Sequence, residues 1–222
     1  MLTESKKAFI EFMMSADVLR FGSFVTKSGR NTPYFVNTGN YKTGEQIAKL
    51  GKFYASLIKE TVGEDFSAMF GPAYKGIPLA AAAAVALADK YQKDVNFCFD
   101  RKEVKDHGEG GMFVGKKLTD GEKVVIIEDV MTSGKAMAEV YPKLKGAADV
   151  DITGMVITVD RMERALEGEK SAVQSVYEKY GVPVYSIVNM EDIIQGIRDE
   201  VIPGKEHLDA MLAYREQYGV KA

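Results

Sequence analysis

The sequence predicts an α/β domain in which a mostly parallel central sheet is flanked by helices, with a small N-terminal cap. Three observations predict it. From residue 67 onward, short apolar runs without polar alternation take turns with longer helix-forming runs, as expected for parallel strands buried on both faces. The chain has 222 residues and is 46% hydrophobic, enough for one sizeable core in a single domain spanning 1–222. Residues 1–40 stand outside the alternation and are assigned to the cap.

The elements follow in order. A mixed apolar and charged stretch near 3–16 reads as an amphipathic helix. FGSFVTKSGRNTPYFVNTG (21–39) breaks short aromatic runs with Gly22, Gly29, Pro33 and Gly39, giving short strands and turns. Thr43 and Gln46 form a capping-box pattern that opens a helix to about Lys59. SAMF (67–70) is a strand, GPAYKG a loop and IPLAAAAAVALADKY a helix. VNFCF (95–99) is a strand followed by a long polar loop, DRKEVKDHGEGG. VVIIE (124–128) is a strand, then a turn and a helix to about Lys145, which Pro142 is expected to kink or shorten. DITGMVITVD (151–160) is a strand, 171–180 a helix, and VYSIV (184–188) the last strand before closing amphipathic helices.

Composition excludes several classes. A formal charge of −3 with 27% charged residues fits neither a nucleic-acid binder nor a disordered chain. Cys98 is the one cysteine, so there is no intramolecular disulfide and no cysteine zinc cage, as in a reducing cytoplasm. The N-terminus lacks the unbroken apolar core of a signal peptide, and AAAAVALA (81–88) is too short to span a membrane. GGMFVGK (110–116) resembles a nucleotide P-loop but has Lys117 where Ser or Thr is required, and no strand–helix context.

In open parallel sheets, ligands bind beyond the carboxyl ends of the strands. Those ends deliver Gly71, Tyr74 and Lys75; Asp100, Arg101 and Lys102; Glu128, Asp129 and Thr132-Ser133-Gly134; and Asp160 with Arg161. Small residues between a strand and a helix let main-chain N–H groups wrap an anion, and the helix N-terminus adds positive potential. Thr132 and Ser133 add hydroxyls, so this turn suits a phosphate monoester. Glu128 and Asp129 would repel phosphate, so they should face the vicinal hydroxyls of a sugar. Together the two features spell a ribose 5-phosphate. Gly108, Gly110 and Gly111 in the long polar loop suit a lid carrying cations. Cys98 reads as core filler.

VVIIEDVMTSGKA resembles the phosphoribosyl-pyrophosphate signature of type I phosphoribosyltransferases. FVTKSGRNTPYFVNTG, FGPAYKGIPLA and FDRKEVKDHGEGGMFVGKKL resemble the orotate phosphoribosyltransferase family, in the right order from about Phe21 to Arg164. The resemblance implies the fold of that family and a homodimer whose lids serve the neighbouring site. It also implies transfer of ribose 5-phosphate to orotate, with Mg²⁺ carried mainly by the substrate pyrophosphate and no direct protein ligand. By the same resemblance, Tyr74, Lys75, Arg101, Lys102, Lys105 and His107 would hold the donor's pyrophosphate end, and Lys27 that end or the base site. Glu128, Asp129, Val130, Met131, Thr132, Ser133, Gly134, Lys135 and Ala136 would hold its ribose phosphate. Phe35, Val36, Thr132 and Arg161 would meet orotate; many members carry an aromatic where this chain has Val36. Lys105, Arg101, His107 and Asp129 are the implied catalytic set. Transfer to another base, or a non-catalytic sensor of the same donor, are the competing readings.

Overall fold

The computed structural model describes residues 2–26, 29–105, 111–131, 134–164 and 168–220, with the main chain alone at 104 and 105. The helices among these residues are α1 (Glu4–Ser15), α2 (Gly44–Thr61), α3 (Gly76–Tyr91), α4 (Lys135–Ala147), α5 (Ala172–Tyr180), α6 (Met190–Arg198) and α7 (Leu208–Tyr218). The strands are β1 (Leu19–Val25), β2 (Asn31–Val36), β3 (Ala68–Phe70), β4 (Asn96–Lys105), β5 (Gly111–Gly115), β6 (Lys123–Ile127), β7 (Val130–Met131), β8 (Asp151–Asp160) and β9 (Val184–Asn189). The expected capping box is present at α2: Thr43 accepts from the Gln46 N–H while the Gln46 side chain accepts from the Thr43 N–H.

β4, β3, β6, β8 and β9 run parallel in that spatial order, and β5 joins β4 antiparallel at the edge. β7 continues the line of β6: it pairs with the far end of β8, at Val159 and Asp160. The chain visits β3 first, then β4 on one side and β6 on the other. The crevice beyond the ends of β3 and β6 is therefore the topological switch point, where open α/β sheets bind ligands.

Alternate strand residues point to opposite faces, and two cores result. Val125, Ile127, Val156 and Val159 pack with α1, α2, α3, α6 and α7; Val124, Ile126, Met155 and Ile157 pack with α4 and α5. Phe9, Ile10 and Met13 of α1 and Tyr34 of β2 belong to the first of these, so residues 1–40 share the core of the main sheet. β1 and β2 form a separate antiparallel hairpin.

Three expectations are corrected. The polar stretch from Asp100 is not a loop throughout: β4 continues to Lys105, and β5 pairs back on it from Gly111, with Asp100 opposite Phe113 and Lys105 opposite Gly111. Cross-strand pairing on an edge tolerates charged side chains that a propensity reading takes for a loop. Pro142 does not shorten α4, which runs to Ala147. Burial of Met137, Val140 and Leu144 on both sides of the proline holds the helix together despite its missing N–H. The apolar strand ends at Ile127, one residue earlier than expected, leaving Glu128 and Asp129 outside regular structure.

Candidate active site

The site begins with a two-residue break in a buried strand. The Glu128 N–H donates to the Val156 carbonyl (3.0 Å), and the Glu128 carbonyl accepts from the Tyr54 hydroxyl (2.7 Å). The Asp129 carbonyl accepts from both the Thr158 N–H (2.8 Å) and the Thr158 Oγ1 (2.6 Å). These bonds replace the ladder while two consecutive side chains meet the same crevice.

The loop after β3 approaches from one side. Gly76, the first residue of α3, lies against the end of β6: a Cβ there would sit 2.9 Å from the Ile127 carbonyl oxygen and 2.6 Å from Pro72 Cδ. This close approach sets Lys75 beside the acids, and its Nζ donates to Asp129 Oδ2 at 2.9 Å. Thr38, in the 3-10 turn Thr38–Asn40 that follows the hairpin, donates to the same oxygen at 2.6 Å. The Val130 N–H donates to Asp129 Oδ1 at 2.7 Å. The peptide between Ala73 and Tyr74 is cis.

Asp100, buried at the point where β4 leaves the core, braces this loop. Its Oδ1 accepts from the Ala73 N–H (2.7 Å) and its Oδ2 from Lys143 of α4. A cavity of about 240 Å³ opens between them, lined by Ala73, Lys102, Glu128, Lys135, Ala136 and Lys143 among others. Lys102 sits 6.0 Å from the exposed Tyr74 ring, and Arg101 donates to the Gly111 carbonyl across the β4–β5 ribbon (3.1 Å). A larger groove of about 510 Å³ lies by Arg164 and Lys170. Its cations are already matched, Lys170 to Glu178 (2.6 Å) and Arg164 to Glu169 (3.6 Å). The smaller cavity lies at the strand ends of the switch point, where open parallel sheets bind ligands.

The two acids are driven apart electrostatically. Burial pushes Glu128 up to about 7, and the neighbouring Asp129 charge adds to this, against the Asp129 N–H that it accepts and the nearby Lys75. Burial also works to raise Asp129, but the bonds from Lys75, Thr38 and the Val130 N–H outweigh it and hold that carboxyl below its ordinary value. One acid is thus ionised and the other titrates near neutrality. Cys98 is core, its thiol pushed up to about 12 by burial.

Several residues singled out in the sequence lie near one another. Lys75 and Asp129 touch, and Lys102, Glu128, Lys135 and Ala136 share a cavity with the Asp100 brace. Gly134 precedes α4, and Val130 offers its main chain, whereas the Met131 side chain is buried in the core with Ile126 and Ile157. Phe35 stacks on Phe24 (5.4 Å) at the end of β2, and Val36 is half-buried beside it. Arg161 stands apart from the cavity. Its Nε and Nη2 both donate to Glu163 Oε1 (3.0 and 2.8 Å), and its guanidinium lies 4.8 Å from the Tyr34 ring centroid. Lys27, His107, Thr132 and Ser133 lie outside the described residues, as does the side chain of Lys105.

Thr38, Tyr54, Lys143, Thr158 and Glu163 were not singled out from sequence. Thr38 and Thr158 are ordinary turn and strand residues there, and their partners lie 91 and 29 residues away. Asp100 gave the one available signal, a carboxylate directly behind the apolar run VNFCF.

The comparisons with known proteins are consistent in direction. The phosphoribosyl transferase domain model matches residues 37–186. Orotate phosphoribosyltransferase of Lachnoclostridium phytofermentans is 48% identical, with all of both chains covered. That of Clostridium botulinum is 50% identical over 97% of this chain and 98% of the relative. The crystal structure of orotate phosphoribosyltransferase from Francisella tularensis superposes with a TM-score of 0.85 at 41% identity, covering 96% of this chain and 99% of the other.

The Glu128 shift makes a stability prediction. The native state binds this proton up to about pH 7, whereas the unfolded chain releases it near its ordinary value of 4.5. The resulting stabilisation is complete below the lower value and is lost as pH rises through the upper one. Urea unfolding of the ligand-free protein should therefore show stability falling between pH 5 and 8. In Glu128→Gln the fall should be smaller, and equal slopes in the two proteins would remove the assigned shift.

Proposed function

The chain belongs to the phosphoribosyltransferase family, among the orotate phosphoribosyltransferases, and is a transferase; on that footing we propose its reaction and the role of each group in it. Ribose 5-phosphate passes from phosphoribosyl pyrophosphate to N1 of orotate, giving orotidine 5′-monophosphate and pyrophosphate on the route to UMP. The bond from C1′ to the pyrophosphate oxygen breaks, one from C1′ to N1 forms, and the N1 proton of orotate is released to the departing pyrophosphate or to water. The observation that carries this reading is the broken strand, which sets Glu128 on a cation-bearing cavity and the adjacent Asp129 against Lys75 at the switch point.

Asp129, ionised, accepts from the ribose hydroxyls. Glu128, titrating near neutrality, is able to donate or accept there. The turn from Val130 to Ala136, including Thr132 and Ser133, takes the 5-phosphate at the start of α4. Charge building on the leaving pyrophosphate meets Lys75, Arg101, Lys102, Lys105 and His107, with Lys27 at the same end. Mg²⁺ carried on the donor supplies further neutralisation of that charge. The residues present fit such an ion: Glu128 is a carboxylate on the cavity rim, and magnesium bound largely by phosphate oxygens and water needs no protein cage. Phe35, Val36, Thr132 and Arg161 receive orotate beneath a cap formed by residues 1–40. The guanidinium edge of Arg161 that Glu163 leaves open is the one offered to the base.

A cytoplasmic homodimer is part of the proposal, with Lys105 acting in the neighbouring subunit's site. Mixed dimers of Lys105→Ala and Asp129→Ala should then regain about a quarter of wild-type activity on random pairing. Dimers that mix yet stay at parental activity place Lys105 in its own subunit's site.

The function is tested directly by following orotate absorbance with phosphoribosyl pyrophosphate and Mg²⁺. Turnover excludes the non-catalytic sensor. Orotate should be preferred over uracil by at least about a hundredfold in kcat/KM, because uracil has no carboxylate to meet the guanidinium edge of Arg161 that Glu163 leaves open. Equal use of uracil, or preference for a purine base, moves the assignment to another phosphoribosyltransferase.

A further inference from the structure

We propose that Thr38 is a positioning residue for the phosphoribosyl donor: it holds the Asp129 carboxylate ready for the ribose hydroxyls, and Lys75 is the exchangeable partner that leaves when they arrive. The proposal rests on the assignment of Asp129 to the ribose.

The argument is one of acceptor sites. A carboxylate offers about four lone-pair directions. Three are taken here, by Thr38 and Lys75 on Oδ2 and by the Val130 N–H on Oδ1. A vicinal diol needs more room than the remaining direction gives, so one donor must yield. The Val130 donor is main chain within the strand line. Thr38 is nine-tenths buried, its hydroxyl sits one rotatable bond from the backbone, and its turn is pinned at two points. Asn37 Oδ1 accepts from the Gly39 N–H (3.1 Å), and Asn40 Nδ2 donates to the Asp17 carbonyl (2.7 Å). Lys75 differs in kind: its side chain is 58% exposed and swings on four methylenes.

Lys75 is therefore the partner that departs, and it does so beside the loop that borders the pyrophosphate cavity. Donor binding would move a cation from the ribose acid towards the leaving group, while Thr38 stays to keep Asp129 ionised and oriented. Lys75 Nζ also lies 3.4 Å from Thr38 Oγ1, so the threonine hydroxyl marks the position from which the lysine leaves. Glu128 on the same strand break and Tyr54 from α2 are the other titratable groups facing Asp129 among the described residues. Neither donates to Oδ2.

Steady-state kinetics of Thr38→Val and Thr38→Ser test this, with Asp129→Asn and the double variant Thr38→Val/Asp129→Asn alongside. Thr38→Val should raise the KM for phosphoribosyl pyrophosphate about tenfold, the scale of one hydrogen bond to a charged group. The KM for orotate and kcat should stay within about twofold, as expected when ground-state and transition-state binding are lost together. Thr38→Ser should restore the donor KM, and Thr38→Val should add nothing in the Asp129→Asn background. If the valine protein does not fold, Thr38→Ala takes its place. A normal donor KM in Thr38→Val, or a serine variant as impaired as the valine one, overturns the proposal while leaving the ribose assignment intact. A normal donor KM in Asp129→Asn overturns both.

Discussion

Thr158 donating twice to the Asp129 carbonyl is the contact on which the rest of the site depends. A parallel strand in the middle of a covered sheet has no water to satisfy its main chain, and an unpaired group there costs about 1–3 kcal/mol. A break at Glu128–Asp129 is tolerable only because Val156, Tyr54 and Thr158 supply the missing partners. In an unbroken strand the two acids would point to opposite faces, one of them into a core. With the break closed by side chains, both reach the crevice, and β7 resumes the pairing two residues later.

The break also resolves a conflict visible in the sequence, where two acids sit directly before an anion-binding turn. Two ionised carboxylates there would repel a phosphate. The environment separates them: burial and its neighbour's charge push Glu128 up, and three donors hold Asp129 down. Glu128 thus holds its proton to higher pH than an ordinary carboxyl, and Lys75 offsets part of the charge on Asp129. The Asp100 carboxylate brings a further order, tying the loop after β3 to α4 through Lys143. The loop after β3, the base of the β4–β5 ribbon and the second half of α4 are thus braced as one frame around the cavity.

Much of this was legible before any coordinates. Apolar runs such as VVII and SAMF announce buried parallel strands because no polar face interrupts them. The charged half of β4 was not legible, because RKEVK has the composition of a loop and becomes a strand only when β5 pairs along it. Pro142 does not shorten α4 because the helix is held by packing of Met137, Val140 and Leu144 on both sides of it. Thr38, Thr158 and Glu163 escaped notice for one reason. Each acts on a partner brought near by topology, and nothing in the residue type distinguishes a threonine bonded to Asp129 from one that caps a turn. The grouping of acids and cations was written in sequence order; the arrangement that holds them was written in the sheet.

The account's central claim is that Asp129 exchanges its lysine for the sugar. A crystal structure with phosphoribosyl pyrophosphate and Mg²⁺ bound tests it most directly. The account predicts ribose hydroxyls within hydrogen-bond distance of Asp129, Thr38 still donating to that carboxylate, and the Lys75 ammonium turned away towards the pyrophosphate. A bound donor with Lys75 still paired to Asp129 and no sugar hydroxyl on that carboxylate would contradict it.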